Sequence, residues 1–340
     1  MKNNKRFTNF LILFLCSFIL GACSNKDSLQ NVSISQKIVR VAHGQPINHP
    51  DHIAMLKFAE HINEHLGDKY KVVVYDNGLL GDTKNALELA QTGAIDYVIS
   101  STSNLESFNN AYGLFSLPYL FINEKAYFDF MNSKLSERLY NSTEKSGLRA
   151  VTWFNAGSRN FYGSKPYTTP EDLKGEKIRV QPSPLNVAMM KALGAGAVPM
   201  SFGEVYTALQ QGTIDGAENN ELALNTVKHG EVVDFYTYDE HQRQPDMLIA
   251  STRFLNSLNS SERKIFNEAT ELAHKTELRE WEKAVLKAKE DGENMGVKFV
   301  EADIPAFQYK VKKIHKEYLN AEKNSLVYYE EIEKLNNEHK

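Results

Sequence analysis

The sequence predicts an α/β protein of two lobes, each a mostly parallel sheet flanked by helices, with one long helix lying across both. Three observations carry this. Strand-like and helix-like runs alternate in two series, the grammar of a parallel sheet with right-handed crossovers. Both series end on one pattern: Leu89-Ala90-Gln91-Thr92-Gly93-Ala94-Ile95-Asp96 in the first, Ala208-Leu209-Gln210-Gln211-Gly212-Thr213-Ile214-Asp215 in the second. A charged, helical stretch from Ser260 or Ser261 to about Asp291 is long enough to touch both lobes.

The elements follow in order. Ile38–His43 is a short β run. Asp51 can cap a helix whose Met55, Ala59, Ile62 and Leu66 share one face, and Gly67 ends it. Tyr70–Tyr75 is a Val-rich strand, Asp82 to about Thr92 a helix closed by Gly93, and Ala94–Ser100 the third strand. Leu148–Asn155 is a strand running into Asn155-Ala156-Gly157-Ser158, which can cross between lobes. Thr169-Pro170-Glu171-Asp172 starts a short helix with a cap, a first-turn proline and acidic residues. The second series is strand Lys177–Val180, helix Ser183–Leu193 closed by Gly194, and strand Ala197–Met200. A helix with a Ser201/Glu204 capping box follows. Met247–Ser251 is another apolar β run, and the chain from about Pro305 is helical and charged.

The N-terminus carries an export signal. Lys2, Lys5 and Arg6 precede an apolar run from Phe10 to Leu20, too short to span a bilayer as a mature helix. Leu20-Gly21-Ala22-Cys23 resembles a lipobox, which makes Cys23 the expected lipidation site and the first residue of the mature chain; an ordinary signal peptide containing a cysteine is the alternative. Cys16 lies in the leader, so the folded part holds no cysteine, which excludes disulfides, thiolate metal sites and a cysteine nucleophile. Residues 1–22 hold three basic residues and no acidic one, so their removal takes the formal charge from −4 to −7. That charge, with no long basic run, argues against nucleic-acid binding. The organisation expected is a leader over 1–22, a flexible tether over 23–36, a first lobe of 37–156 with about 245–284, a second of 157–244 with about 285–325, and a helical tail over 326–340.

No enzyme signature is present. His61 and His65 have metal spacing on a helix but no zincin glutamate between them, and a solvated face explains them better. No phosphate loop, nucleophile elbow or kinase set occurs, and no cofactor or metal is expected. Binding chemistry is easier to find. In a two-lobe α/β protein the C-terminal ends of parallel strands face the crevice. Arg179, in the buried strand Lys177-Ile178-Arg179-Val180, would there offer a planar fork to a carboxylate. Arg159 follows the crossing, Asn219 lies in the polar run Asp215–Asn220, and Ser101 lies in the hydroxyl-rich run after the third strand. The alternatives are an edge-strand arginine, a loop charge and a turn.

The chain resembles the DctP-type solute-binding proteins of TRAP transporters over most of residues 37–310. The resemblance rests on Leu80-Gly81-Asp82, Leu117-Pro118-Tyr119-Leu120-Phe121, Asp172 to Val180, Ser201 to Gln210 and Asp215 to Asn219, in that order. It implies a periplasmic-binding-protein-like fold whose lobes close on a small organic acid and deliver it to two integral membrane subunits from outside the cytoplasm. It implies that Arg179 pairs with the ligand carboxylate, that Arg159 and Asn219 add polar contacts, and that Phe202 packs near the ligand. Asn220, His43 and His241 complete the implied set. Ser101 stands where sialic-acid-binding relatives carry an acidic residue, and Asn220 where they carry proline, which argues against sialic acid. The runs Glu218-Asn219-Asn220 and Asp239-Glu240-His241 look more like the branch that binds sugar acids such as uronates; four-carbon dicarboxylates and aldonates stay open. A lipid-anchored enzyme on sugar acids and a ligand-sensing receptor are the competing readings.

Overall fold

A computed structural model describes residues 36–340; the leader, Cys23 and nearly all of the tether lie outside them. Eleven strands form two sheets. The first lobe contains β1 (Lys37–Ala42), β2 (Tyr70–Tyr75), β3 (Tyr97–Ser101), β4 (Leu148–Phe154) and β10 (Asp246–Ser251), in the order β2-β1-β3-β10-β4. The second contains β5 (Arg159–Gly163), β6 (Lys177–Val180), β7 (Gly196–Pro199), β8 (Gly216–Asn219), β9 (Phe235–Gln242) and β11 (Lys298–Glu301), in the order β11-β9-β5-β8-β6-β7. The β-α-β series supply the parallel ladders β2-β1-β3 and β7-β6-β8. The antiparallel ladders belong to the strands that lead across: β10 against β3 and β4, and β5 against β8 and β9.

The repeated sequence pattern builds the same device in both lobes. Gly93 and Gly212 take left-handed φ values of 79° and 66° and end their helices, α2 (Thr83–Thr92) and α5 (Val205–Gln210) with its terminal turn. Three residues later the chain docks on the neighbouring strand. Arg40 N–H donates to Asp96 Oδ2 at 2.8 Å and Asp96 N–H to the Arg40 carbonyl at 3.1 Å. Lys177 N–H donates to Asp215 Oδ2 at 2.7 Å and Asp215 N–H to the Lys177 carbonyl at 2.9 Å. Each aspartate thereby fixes the register of the strand that follows it against its neighbour.

Helix α1 (Pro50–Leu66) and the 35-residue α6 (Ser260–Asn294) pack on one face of the first sheet. Phe58, Tyr97, Phe254 and Phe266 form the aromatic centre there, with Phe58–Tyr97 and Phe254–Phe266 centroids 5.1 Å apart. The opposite face buries Leu87, Tyr112, Phe115, Phe130 and Trp153. That core continues into the second lobe, to Ile178 and Met189, by way of α7 (Ile304–Val311) and α8 (Lys313–Ala321). Helix α9 (Leu326–Glu338) docks on α3 (Glu124–Met131) of the first lobe; Asn336 donates to the Leu120 carbonyl at 2.9 Å and accepts from Ile122 N–H at 3.0 Å. Among the described residues no helix is long and apolar enough to cross a membrane.

The lobes are joined by residues 155–158, residues 243–245 and α6. Gly157 has φ +61°, and a Cβ there would stand 3.1 Å from Trp281 Cζ2 of α6, so the first crossing needs glycine twice over. Asn155 N–H donates to Glu277 Oε2 of α6 at 2.8 Å.

Most boundaries shift by a residue or so, and three of the shifts have a clear local cause. His49, not Asp51, caps α1, its Nδ1 accepting from Asp51 N–H at 3.2 Å, because the chain turns one residue ahead of Pro50. Asn259, not Ser260 or Ser261, caps α6 in a capping box with Glu262. The third strand starts at Tyr97, since Ala94–Asp96 form the docking turn.

Candidate functional site

A cavity of about 530 Å³ lies between the lobes, within the range of small-molecule sites. The first lobe contributes the loop ends after β1, β2 and β3; the second contributes the ends of β6, β7 and β8, as a crevice at the C-terminal edges of two sheets requires. The lobes meet around it. Ser103 Oγ donates to Gln181 Oε1 at 3.1 Å, and Ser183, the cap of helix α4 (Pro184–Leu193), donates to Glu106 at 2.8 Å. At the mouth, Ser201 Oγ stands 3.5 Å from Asp82 Oδ2.

Arg179 points from β6 into this cavity and is 2% exposed. Its Nε and Nη2 both donate to the Met200 carbonyl, at 3.2 and 2.9 Å, while the buried Nη1 has no partner. Phe202 covers it, ring centroid 5.8 Å from Cζ. No carboxylate among the described residues pairs with it, and burial pulls its pKa down to about 10, still charged at neutral pH. Arg159, at the start of β5, is the opposite case. Its Nε donates to Glu218 Oε2, Nη2 to the Glu218 carbonyl at 2.8 Å, and Nη1 to Asn219 Oδ1 at 3.0 Å. Although burial opposes its charge, Glu218 holds its pKa above the usual value.

Glu218 is buried between two cations. His241 Nε2 faces its Oε2 at 3.6 Å, and His241 Nδ1 lies 2.9 Å from Asp239 Oδ2. Against burial, Arg159 and His241 bring the Glu218 carboxyl down to about 2. Against burial too, Asp239 and Glu218 bring His241 up to about 9. Arg159, Glu218, His241 and Asp239 thus alternate in sign and cancel. Arg179 stands outside this network, with no paired carboxylate among the described residues.

The other expected residues divide. Asn219 lines the cavity, its Oδ1 held by Arg159 and by Asn220 N–H. Asn220 reaches the wall, but its amide is spent on the Ala156 carbonyl and Leu222 N–H. Ser101 lines the cavity, 3.4 Å from both Gln181 and Gln244. His43 lines it with both nitrogens engaged: Nδ1 accepts from Gln45 N–H at 3.2 Å and Nε2 faces His52 Nδ1 at 3.1 Å. Burial takes its pKa down to about 4, so it is neutral. His241 is a correction: it lies one layer behind, stacked on Phe161 at 4.5 Å, and is linked to the cavity wall through Glu218 and then Arg159.

Sequence reasoning missed the acidic end of the cleft. Asp246, the first residue of β10, sits opposite Ser101 and Phe154 and opens into the cavity. Asp51 of α1 lies beside it, with neither carboxyl oxygen hydrogen-bonded, and Glu277 of α6 stands behind with Oε1 unpartnered. Burial first, then Asp51, pushes Asp246 up to about 7, and the same two causes hold Glu277 well above the usual range. Gln181 and Gln244 were also missed, since a lone glutamine carries no pattern.

Two α/β lobes with a polar cleft between them, lined from both sides and holding an unpaired cation, define a solute-binding protein. The chain belongs to the DctP family, bacterial extracellular solute-binding protein family 7, whose model matches residues 41–322. It is 39% identical over 292 residues, 85% of this chain and 89% of the other, to the uncharacterized protein YiiZ of Salmonella typhimurium. It is 30% identical to the C4-dicarboxylate-binding periplasmic protein DctP of Vibrio cholerae, over 77% of this chain and 80% of that one. A TRAP periplasmic solute-binding protein of Anaerococcus prevotii, solved with bound α/β-D-glucuronate, superposes with TM-score 0.88 at 45% identity, covering 89% of this chain and 99% of that one.

Proposed function

We propose that the protein captures a hexuronate such as D-glucuronate in the interlobe cleft and delivers it to the integral membrane subunits of a TRAP transporter. The observation that carries this is Arg179, a buried guanidinium with Nη1 free and no counter-ion among the described residues, which a ligand carboxylate completes. The glucuronate complex of the Anaerococcus protein supports the class of acid. Closure moves residues 37–156 with about 245–284 against 157–244 with about 285–325, and Cys23 anchors the chain to the membrane by its lipid. Ligand contacts from both lobes form only when the lobes are together, which couples capture to closure.

Calorimetry with a panel of uronates, aldonates and dicarboxylates tests the reading. A saturable signal with D-glucuronate or D-galacturonate and no chemical change in the acid supports it. Turnover of the acid would favour the lipid-anchored enzyme, and tighter binding of a four-carbon dicarboxylate would replace the uronate. Fatty-acid labelling of cells, present in wild type and lost in Cys23→Ala, tests the anchor.

A further inference from the structure

The two sides of the cleft differ in charge. The second lobe presents Arg179 with no paired carboxylate among the described residues; the first lines the cleft with Asp51 on α1 and Asp246 on β10, and Glu277 of α6 stands behind them. Asp51 and Glu277 are each 0% exposed, and three of their four carboxyl oxygens lack a partner; the fourth takes Asn155 N–H. Lys84 of α2 also lines the cavity, and among the described residues it makes no ion pair with these carboxyls. His49 Nδ1 lies 3.5 Å from Asp51 Oδ2, and Arg159, which is within electrostatic reach of Asp246, is already committed to Glu218. His43 is neutral, and Gln45, Gln181 and Gln244 are uncharged.

We propose that Asp246, backed by Asp51 and Glu277, is a specificity-determining residue: it accepts hydrogen bonds from ligand hydroxyls and excludes a second carboxylate. The site then selects polyhydroxy monocarboxylates and rejects dicarboxylates. This rests on the sugar-acid reading of the cleft and assigns the residue that sets its specificity. The physical reason is that a hydroxyl donating to a carboxylate forms a charge-assisted bond. Above neutral pH, where Asp246 is ionised, a carboxylate in the same place meets like charge in a desolvated site, where repulsion is poorly screened.

The test is calorimetry above neutral pH on wild type and Asp246→Asn, with D-glucuronate, D-gluconate and D-glucarate. Gluconate and glucarate share an open chain and differ only in whether the last carbon is a hydroxymethyl or a carboxylate. Asp246→Asn should gain about tenfold or more in glucarate affinity, with no such gain for gluconate. Asp51→Asn should move glucarate the same way, and circular dichroism checks that both variants fold. Glucarate binding to Asp246→Asn no tighter than to wild type, or wild type binding glucarate as tightly as glucuronate, overturns the proposal. Wild type binding none of the three removes the sugar-acid reading and this inference together; glucuronate bound without the glucarate gain removes this inference alone.

Discussion

Glu218 neutralises Arg159 inside the protein, accepting from its Nε through a carboxylate oxygen and from its Nη2 through the main-chain carbonyl. Two arginines line one cleft, and this pairing is what makes them unequal. Arg159 is paired within the protein, whereas Arg179 keeps one guanidinium nitrogen without a partner among the described residues.

Glu218→Gln keeps the shape and removes the charge. Arg159 and His241 then remain buried without it, and breaking such a pair typically costs about 3–5 kcal/mol. The urea midpoint should fall accordingly. A midpoint equal to wild type would mean that the network contributes nothing to stability.

Arg179 should behave differently. Among the described residues its hydrogen bonds go only to the Met200 carbonyl. Arg179→Ala should lose roughly 2–5 kcal/mol of uronate affinity, the usual cost of truncating one side of a buried charge pair. Arg179→Lys keeps the charge but not the fork and should fall between the two. Calorimetry decides, and an Ala variant binding like wild type would move the carboxylate elsewhere.

His241 should titrate near 9 when its ring is followed by NMR. A histidine raised from 6.5 to about 9 by folding contributes stability that is complete below 6.5 and disappears as pH rises through about 9. The loss across that window is on the order of 3 kcal/mol. His241→Gln should flatten the profile there; an unchanged slope would place the proton on another group.

Asp246 makes a contribution of the same sign at lower pH. Its carboxyl rises from 3.8 to about 7, so the folded state holds a proton that the unfolded state releases. Stability therefore falls as pH rises from 3.8 to about 7. Asp246→Asn should melt a few degrees higher than wild type above neutral pH, at about 2–4 °C per kcal/mol. The gap should close toward acid, and a gap independent of pH would point to packing instead of charge.

What the sequence disclosed was what backbone grammar controls. The pattern around Gly93 and Gly212 marked two equivalent lobes because helix termination and strand docking are local events. Arg179 was legible because an arginine inside a Lys-Ile-Arg-Val strand has few places to go. Asp246 was not. Its meaning comes from lying opposite Ser101 across an antiparallel ladder and beside Asp51, some two hundred residues away in sequence, and no periodicity records that meeting. His241 was drawn into the ligand set for the converse reason: its neighbours in sequence mark the site, but its ring turns to the layer behind. The cap residues His49 and Asn259 each missed by one or two positions, the ordinary uncertainty of where a helix begins.

Strand β1 and helix α9 are both seated on the first lobe. The two charged ends of the cleft sit on different lobes, Arg179 on the second and Asp246 on the first. Any change in the angle between the lobes therefore changes the separation of cation and carboxyl, so the field inside the cleft is a direct readout of how the two halves stand to each other.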